Sequence, residues 1–269
     1  RELVQEVRAA ALAGKYYPAQ PEFLATVVDR YLQGARRPRE GEASPKAVIA
    51  PHGGLIFSGA VAGSAFAPWR REAGTIERVV VIGPSHYYDF PGMALPGAGA
   101  FETPFGCVEV DGPWEERLER ISTVRVFAAA HENEHSVEVQ LPFLQRMLGE
   151  VKIVPLITGS ASHLQIAAVI ERLWGGPETR FVISSDLSHY LEYGAAQIAD
   201  RRTADLIENF EFRKISAEHA CGAQAIRGFL RAGLEREIRC ATVDLRNSGD
   251  TEGSTSETIG YGAFHFFES

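Results

Sequence analysis

The residues of this chain that can do chemistry fall in short polar runs, each directly after an apolar one. They are Pro51-His52-Gly53-Gly54, Gly83-Pro84-Ser85-His86 and Ser184-Ser185-Asp186-Leu187-Ser188-His189. A fourth run, His131-Glu132-Asn133-Glu134-His135-Ser136, precedes an apolar pattern with Val137, Leu141, Leu144 and Leu148. Four of the eight histidines (His52, His86, His135 and His189) thus lie where a strand pattern gives way to a loop. Neutral imidazole is a common ligand for iron, copper and zinc. Two histidines with one anionic oxygen or sulfur ligand leave open positions on an ion, as in non-haem Fe(II) and catalytic zinc sites. His52 and His86 are the best pair, because each ends a strand pattern at a tight turn. In the run DLSH, either Asp186 orients His189 as a base or both side chains reach the same pocket. His135 can supply a further proton or hydrogen-bond donor. Glu132 and Glu134 are expected to face solvent, as charges usually do. His131, His163, His219 and His265 read as structural or surface residues.

These runs need elements to carry them. Residues 47–50, 79–82, 124–128, 151–157, 181–183, 238–245 and 259–267 are short apolar stretches bounded by turn residues. Short, unalternated runs fit strands buried on both faces. Helical spacing of apolar residues appears over 21–33, 59–66, 164–174 and 217–230. A further helix is expected after His135, with Ser136 as N-cap and Pro142 delaying or kinking it. Strands alternating with helices predict one layered α/β domain over 1–269, its mostly buried central sheet flanked by helices. In such sheets ligands sit outside the carboxyl ends of the strands. The histidines should therefore converge there. Gly53 and Gly54 would let the backbone turn sharply or approach a ligand closely. Residues 34–44 read as a polar connector whose Arg36, Arg37 and Arg39 keep it solvated.

Composition removes several classes. The formal net charge of −8 argues against a nucleic-acid partner. Hydrophobic residues at 45% and charged residues at 23% argue against disorder. No apolar run approaches the roughly 20 residues that span a bilayer, so no membrane partner is expected. Cys107, Cys221 and Cys240 form no CxxC pair, so a disulfide framework or cysteine-based zinc site is not expected. Reduced thiols in the cytoplasm are the simpler expectation. The opening residues show no charged-then-apolar leader, so no signal peptide is expected. The phosphate loop GxxxxGK[ST], the elbow GxSxG and the HExxH motif do not occur.

Five motifs stand in order: APHGG (50–54), GPSHY (83–87), ENEHSVEVQLPFLQ (132–145), SSDLSHY (184–190) and CGAQAI (221–226). Together they resemble the Memo family, whose bacterial and archaeal members are labelled protein B of the AmmeMemoRadiSam system. The resemblance runs from about residue 10 to the C-terminus. It implies an α/β domain similar to class III extradiol ring-cleaving dioxygenases, in which two His and a Glu hold Fe(II). By resemblance, His52 and His86 fall on metal-ligand positions, His135 and His189 on pocket positions, and Asp186 on a neighbouring carboxylate. In animal members a third ligand is a Cys near the C-terminus, before a strand of small residues. The matching stretch here, 245–250, contains none, and Cys240 comes too early. Asp250 is the obvious oxygen substitute, or else it caps a turn. The implied cofactor is a divalent metal, Fe(II) first, with copper or zinc as alternatives.

Three functions follow as expectations. The first is a metal-dependent oxidoreductase of extradiol type acting on a small molecule, with His189, His135 and Asp186 managing protons. The second is a binding or adaptor protein reusing a degenerate pocket, as animal Memo proteins linked to phosphotyrosine peptides suggest. The third is an accessory role beside a radical SAM protein. The chain itself lacks a CxxxCxxC cluster motif.

Overall fold

Runs of valine and isoleucine too short for helices become the central strands, and the segments between them coil over both faces. The computed structural model describes residues 6–37 and 43–269. In chain order the elements are β1 (Val7–Arg8), α1 (Pro21–Gln33), β2 (Ala47–Ala50), α2 (Leu55–Phe66), β3 (Arg78–Pro84), β4 (Met93–Leu95), β5 (Ala100–Thr103) and β6 (Gly106–Val110). There follow α3 (Gly112–Leu118), β7 (Val124–Val126), α4 (Ala128–Glu132), α5 (His135–Glu138), α6 (Leu141–Leu148), β8 (Lys152–Thr158) and α7 (His163–Leu173). The last are β9 (Thr179–Ser184), β10 (His189–Leu191), α8 (Tyr193–Glu208), α9 (Ala223–Leu234), β11 (Arg239–Asn247) and β12 (Thr258–Phe267).

All the strands join one sheet, ordered β1-β5-β6-β8-β3-β9-β2-β12-β10, with β11 against β12 and β4 against β7 and β8. The centre, β6 through β2, is parallel. β12 closes it antiparallel to β2. Successive strand residues point to opposite faces. Val79 and Val81 therefore join the core under α1, α2 and α6, while Val80 and Ile82 join the core under α7, α8 and α9. The chain leaves β2 into α2 on the first face, but it leaves β9 towards α8 on the second. Neighbouring strands whose exits diverge leave a crevice at their carboxyl ends.

The seven strand patterns and the 21–33 helix match observed elements. Three short strands (β4, β5, β6), β10 and α8 lie outside those patterns. α9 begins at Ala223 instead of residue 217, because residues 216–222 turn back on themselves. Glu134, not Ser136, caps α5: its carboxylate accepts from Ser136 N at 2.9 Å. Pro142 sits in the first turn of a separate α6, where a missing N–H costs nothing. Arg36 pairs with the buried Asp244 at 3.2 Å. Arg39 lies outside the described residues. No helix among the described residues is long and apolar enough to cross a membrane.

A buried carboxylate ties the N-terminal segment down. Glu138 accepts from Ala11 N and Leu12 N at 2.8 Å each and from Tyr17 OH at 2.7 Å, and it pairs with Arg8. Arg8 also donates to the carbonyls of His131 and Glu134. The clamp fixes the segment that carries Tyr16 to the crevice.

Candidate metal centre

His52, His86 and Asp186 each stand two residues past a strand end: Ala50 of β2, Pro84 of β3 and Ser184 of β9. Because these strands are parallel and adjacent through β9, the shared offset brings the side chains to one edge. α5 brings His135 over the end of β3. This close approach needs Gly83, where a β-carbon would collide with the Ser136 side chain. Gly53 is also required, since its β-carbon would lie 2.9 Å from Tyr261 OH. The neighbour that excludes a side chain there is thus a tyrosine of the fold.

The rings of His52 and His86 lie 5.2 Å apart, as do those of His52 and His135, and His86 stacks on His135 at 4.4 Å. One ligand atom from each lies within 4.8 Å of the others. His52, Asp186 and Cys221 form a second group of the same span, so His52 belongs to both. Cys221 Sγ is 3.2 Å from His52 Nε2, and Asp186 Oδ2 is 3.7 Å from it.

Hydrogen bonds fix which nitrogens face the crevice. Ser184 Oγ donates to Ser136 O at 2.6 Å. A hydroxyl has one proton, so Ser184 must accept from His52 Nδ1 at 2.8 Å and from Gln140 Nε2 at 3.0 Å. His52 Nε2 then carries a lone pair. The Glu134 carboxylate lies 2.9 Å from His86 Nδ1, so that nitrogen donates and His86 Nε2 is also free. Leu187 O does the same for His189 Nδ1 at 2.8 Å. His135 Nδ1 is buried with no hydrogen-bond partner.

Burial pushes His52 down to about 3, helped by the neighbouring His86. It pushes His135 down to about 4, helped by His52 and His86. Both are neutral near pH 7, the state in which imidazole binds a metal. Burial pushes Asp186 up and lifts Cys221 to about 12, in the latter case with help from Asp186. The His52 ring in contact with Asp186 is neutral, and burial disfavours the carboxylate charge beside it. Burial works against the Glu134 charge, yet hydrogen bonds from His86 and Ser136 hold it at about 2.

These residues fit a metal ion. Imidazole nitrogens converge with a thiol that burial keeps protonated and with a carboxyl group whose charge burial disfavours, and a cation is what would favour both anions. The structure brings together His52, His86, His135 and Asp186 as read from the sequence. His189 is half-buried beside them; its charge would disfavour that of His52 and favour that of Asp186. Asp250 is not brought to them. Its carboxylate accepts from Tyr193 OH and, at 2.9 Å, from Asn247 N, as the cap of a short turn. The thiol of the site is Cys221, in the turn before α9, and not a residue of 245–250. Glu134 is also not at the surface: it is 2% exposed and holds His86. Tyr16 stacks on His135 at 4.6 Å.

A mixed α/β sheet whose parallel strands end in an imidazole-rich pocket with a thiol defines a protein with a candidate metal centre. The sequence matches the Memo-like protein family over residues 8–265. It is 32% identical over 267 residues to a MEMO1 family protein of Aquifex aeolicus, covering 95% of this chain and 97% of the relative. It is 33% identical over 288 residues to one of Methanopyrus kandleri, covering 96% and 98%. The chain belongs to the Memo-like family.

Proposed function

We propose that this protein holds one metal ion in the crevice and uses it as an oxidoreductase of extradiol type on a small organic molecule. The observation that carries this reading is the pair of overlapping ligand groups that share His52. His52 would hold the ion in either group, together with His86 and His135 or with Asp186 and Cys221. Cys221 replaces Asp250 in this reading. A thiolate favours copper(I), zinc or iron, and a carboxylate favours harder ions; Fe(II) suits imidazole with either. The bound ion would supply Lewis-acid and redox chemistry to its ligands. His189 Nε2, the free nitrogen of a half-buried ring, would accept a substrate proton, with Leu187 O orienting the ring. Tyr16 stacks on His135, and Tyr261 packs against Gly53 beside His52. Cys107, Cys221 and Cys240 are all free thiols, which supports a cytoplasmic location.

Metal analysis of protein purified without oxygen tests the proposal. We expect one ion per chain, lost in His52→Ala and reduced in Cys221→Ser. Metal content below one per chain and unchanged by either substitution would remove it. A catechol screen with the loaded protein then tests the ring-cleaving chemistry.

A further inference from the structure

A cavity of about 370 Å³ opens beside the candidate centre. Its lining includes Cys221 and also Ser85, the residue before His86. We propose that this cavity is the substrate compartment and takes a small planar molecule bearing a carboxylate, anchored by Arg227. The inference rests on the function proposed above and adds the substrate class.

The size falls within the range of small-molecule sites, about 300–1,000 Å³. Tyr88 and Phe90 supply aromatic surface on which a flat ring can lie. Arg227 lines the same cavity, six residues after Cys221 on α9. The residue is half-buried. Nη2 donates to His163 Nδ1 at 3.2 Å, while Nε is buried with no partner. Among the described residues, no carboxylate lies within ion-pair distance of Arg227. Asp89 also lines the cavity but is exposed and does not pair with it. Arg213 and Arg231 add positive charge nearby: His163 is held down by burial first, then by Arg227, Arg213 and Arg231.

A guanidinium withdrawn from water without a counter-charge is unfavourable. Elsewhere in the chain the buried guanidinium of Arg8 meets Glu138, and the partly buried one of Arg78 meets Asp111. At Arg227 the missing partner is an anion, and the planar fork suits a carboxylate. An anchor at Arg227 with the ring near Cys221 would present the other end of the molecule to the centre.

The test is calorimetric titration of the full chain with 3,4-dihydroxybenzoate and with catechol, each with metal present and after chelation. We expect the carboxylate to bind about tenfold tighter than catechol under both conditions. Arg227→Gln should bring the two within about twofold, and Arg227→Lys should restore part of the difference. Equal affinities in the unsubstituted protein, no binding of 3,4-dihydroxybenzoate, or a preference kept in Arg227→Gln would overturn the inference. Metal content measured on the same samples separates the two readings. A variant that loses the preference while keeping its metal supports the anchor; one that loses both counts against it. A protein without metal that still prefers the carboxylate would retain the anchor and remove the function proposed above.

Discussion

The two edges of the parallel sheet both bury groups that can carry charge, and they treat them in opposite ways. At the amino edge, Lys46 precedes β2 and donates to three carbonyls: Trp174 at 2.6 Å, Gly176 at 2.9 Å and Thr179 at 2.8 Å. Arg78 opens β3 and meets Asp111 at 2.8 Å. At the carboxyl edge, His52 and His135 are kept neutral, Nε2 of His52 faces a thiol, and Nδ1 of His135 makes no hydrogen bond, with the Glu134 carboxylate 3.5 Å away. Burial lowers Lys46 as well, to about 8, yet its three acceptors are all in place. A satisfied buried cation belongs to the scaffold. Neutral, convergent and partly unpartnered groups belong to a site that expects something else.

The largest expected effect is at the amino edge. Lys46→Ala should lower unfolding free energy by about 2–4 kcal/mol, because Trp174 O loses its donor while Gly176 O and Thr179 O keep only Thr179 N and Arg180, and the side chain leaves a void. Urea denaturation measures it, and metal content should not change. A loss of metal without a loss of stability would reverse the contrast. The next effect is at the carboxyl edge. Glu134→Gln keeps the shape but removes the acceptor charge behind His86 Nδ1. Metal affinity should fall by roughly 10- to 100-fold, as for other outer partners of ligand histidines. Competition with a chelator reads this directly.

How much of this the sequence could reveal depended on where a residue sits relative to a strand. His52, His86 and Asp186 were legible because a buried strand shows as an apolar run, and the next polar residue marks its exit. His135 was legible from its place before an apolar helical pattern. Cys221 had no such marker. It sits in a turn, alone, with no second cysteine at ligand spacing, and only the CGAQAI motif pointed to it. Glu134 broke a rule that holds for most charges; the clue was its position two residues before Ser136, where a carboxylate can cap a short helix. Asp250 was misleading because the residues that suit a ligand loop also suit a turn. The sheet's centre was readable, but β4, β5 and β6 span 3–5 residues each among glycines and prolines. In α8 the buried residues are chiefly small or polar, so no strong apolar stripe appears.

Acid should sharpen the comparison further. His52 stays neutral down to about pH 3, and His131 and His135 down to about 4, each held down by burial first. In the unfolded chain each takes a proton near pH 6.5. Between those values the unfolded state binds more protons, so stability falls as pH falls. Each histidine contributes up to about 1.4 kcal/mol per pH unit. Glu134 adds a loss from about pH 4.5 towards 2, and the raised Asp186 opposes both over its own range. Urea midpoints of chelated protein at about pH 7 and about pH 5 measure the sum. A midpoint that does not fall on acidification would mean the imidazoles are not neutral in the folded chain.

The smallest effect on stability, and the most discriminating, belongs to Cys221. In metal-free protein, Cys221→Ala should change stability by no more than about 1 kcal/mol, since the thiol sits in a turn and its contacts, with Asp186 N at 3.3 Å and His52 Nε2 at 3.2 Å, are weak hydrogen bonds of sulfur. Its effect should appear in protons instead. A thiol lifted to about 12 must lose its proton to bind an ion. Metal affinity should then rise with pH by about tenfold per unit for that proton alone. Cys221→Ala should remove one unit of that slope. His52 and His135 cannot supply it, because burial keeps both neutral at these pH values. Chelator competition at several pH values between about 6 and 8 reads the slope in both proteins. An identical slope would mean that the ion is held by the imidazoles without the thiol, and the centre would shrink to His52, His86 and His135.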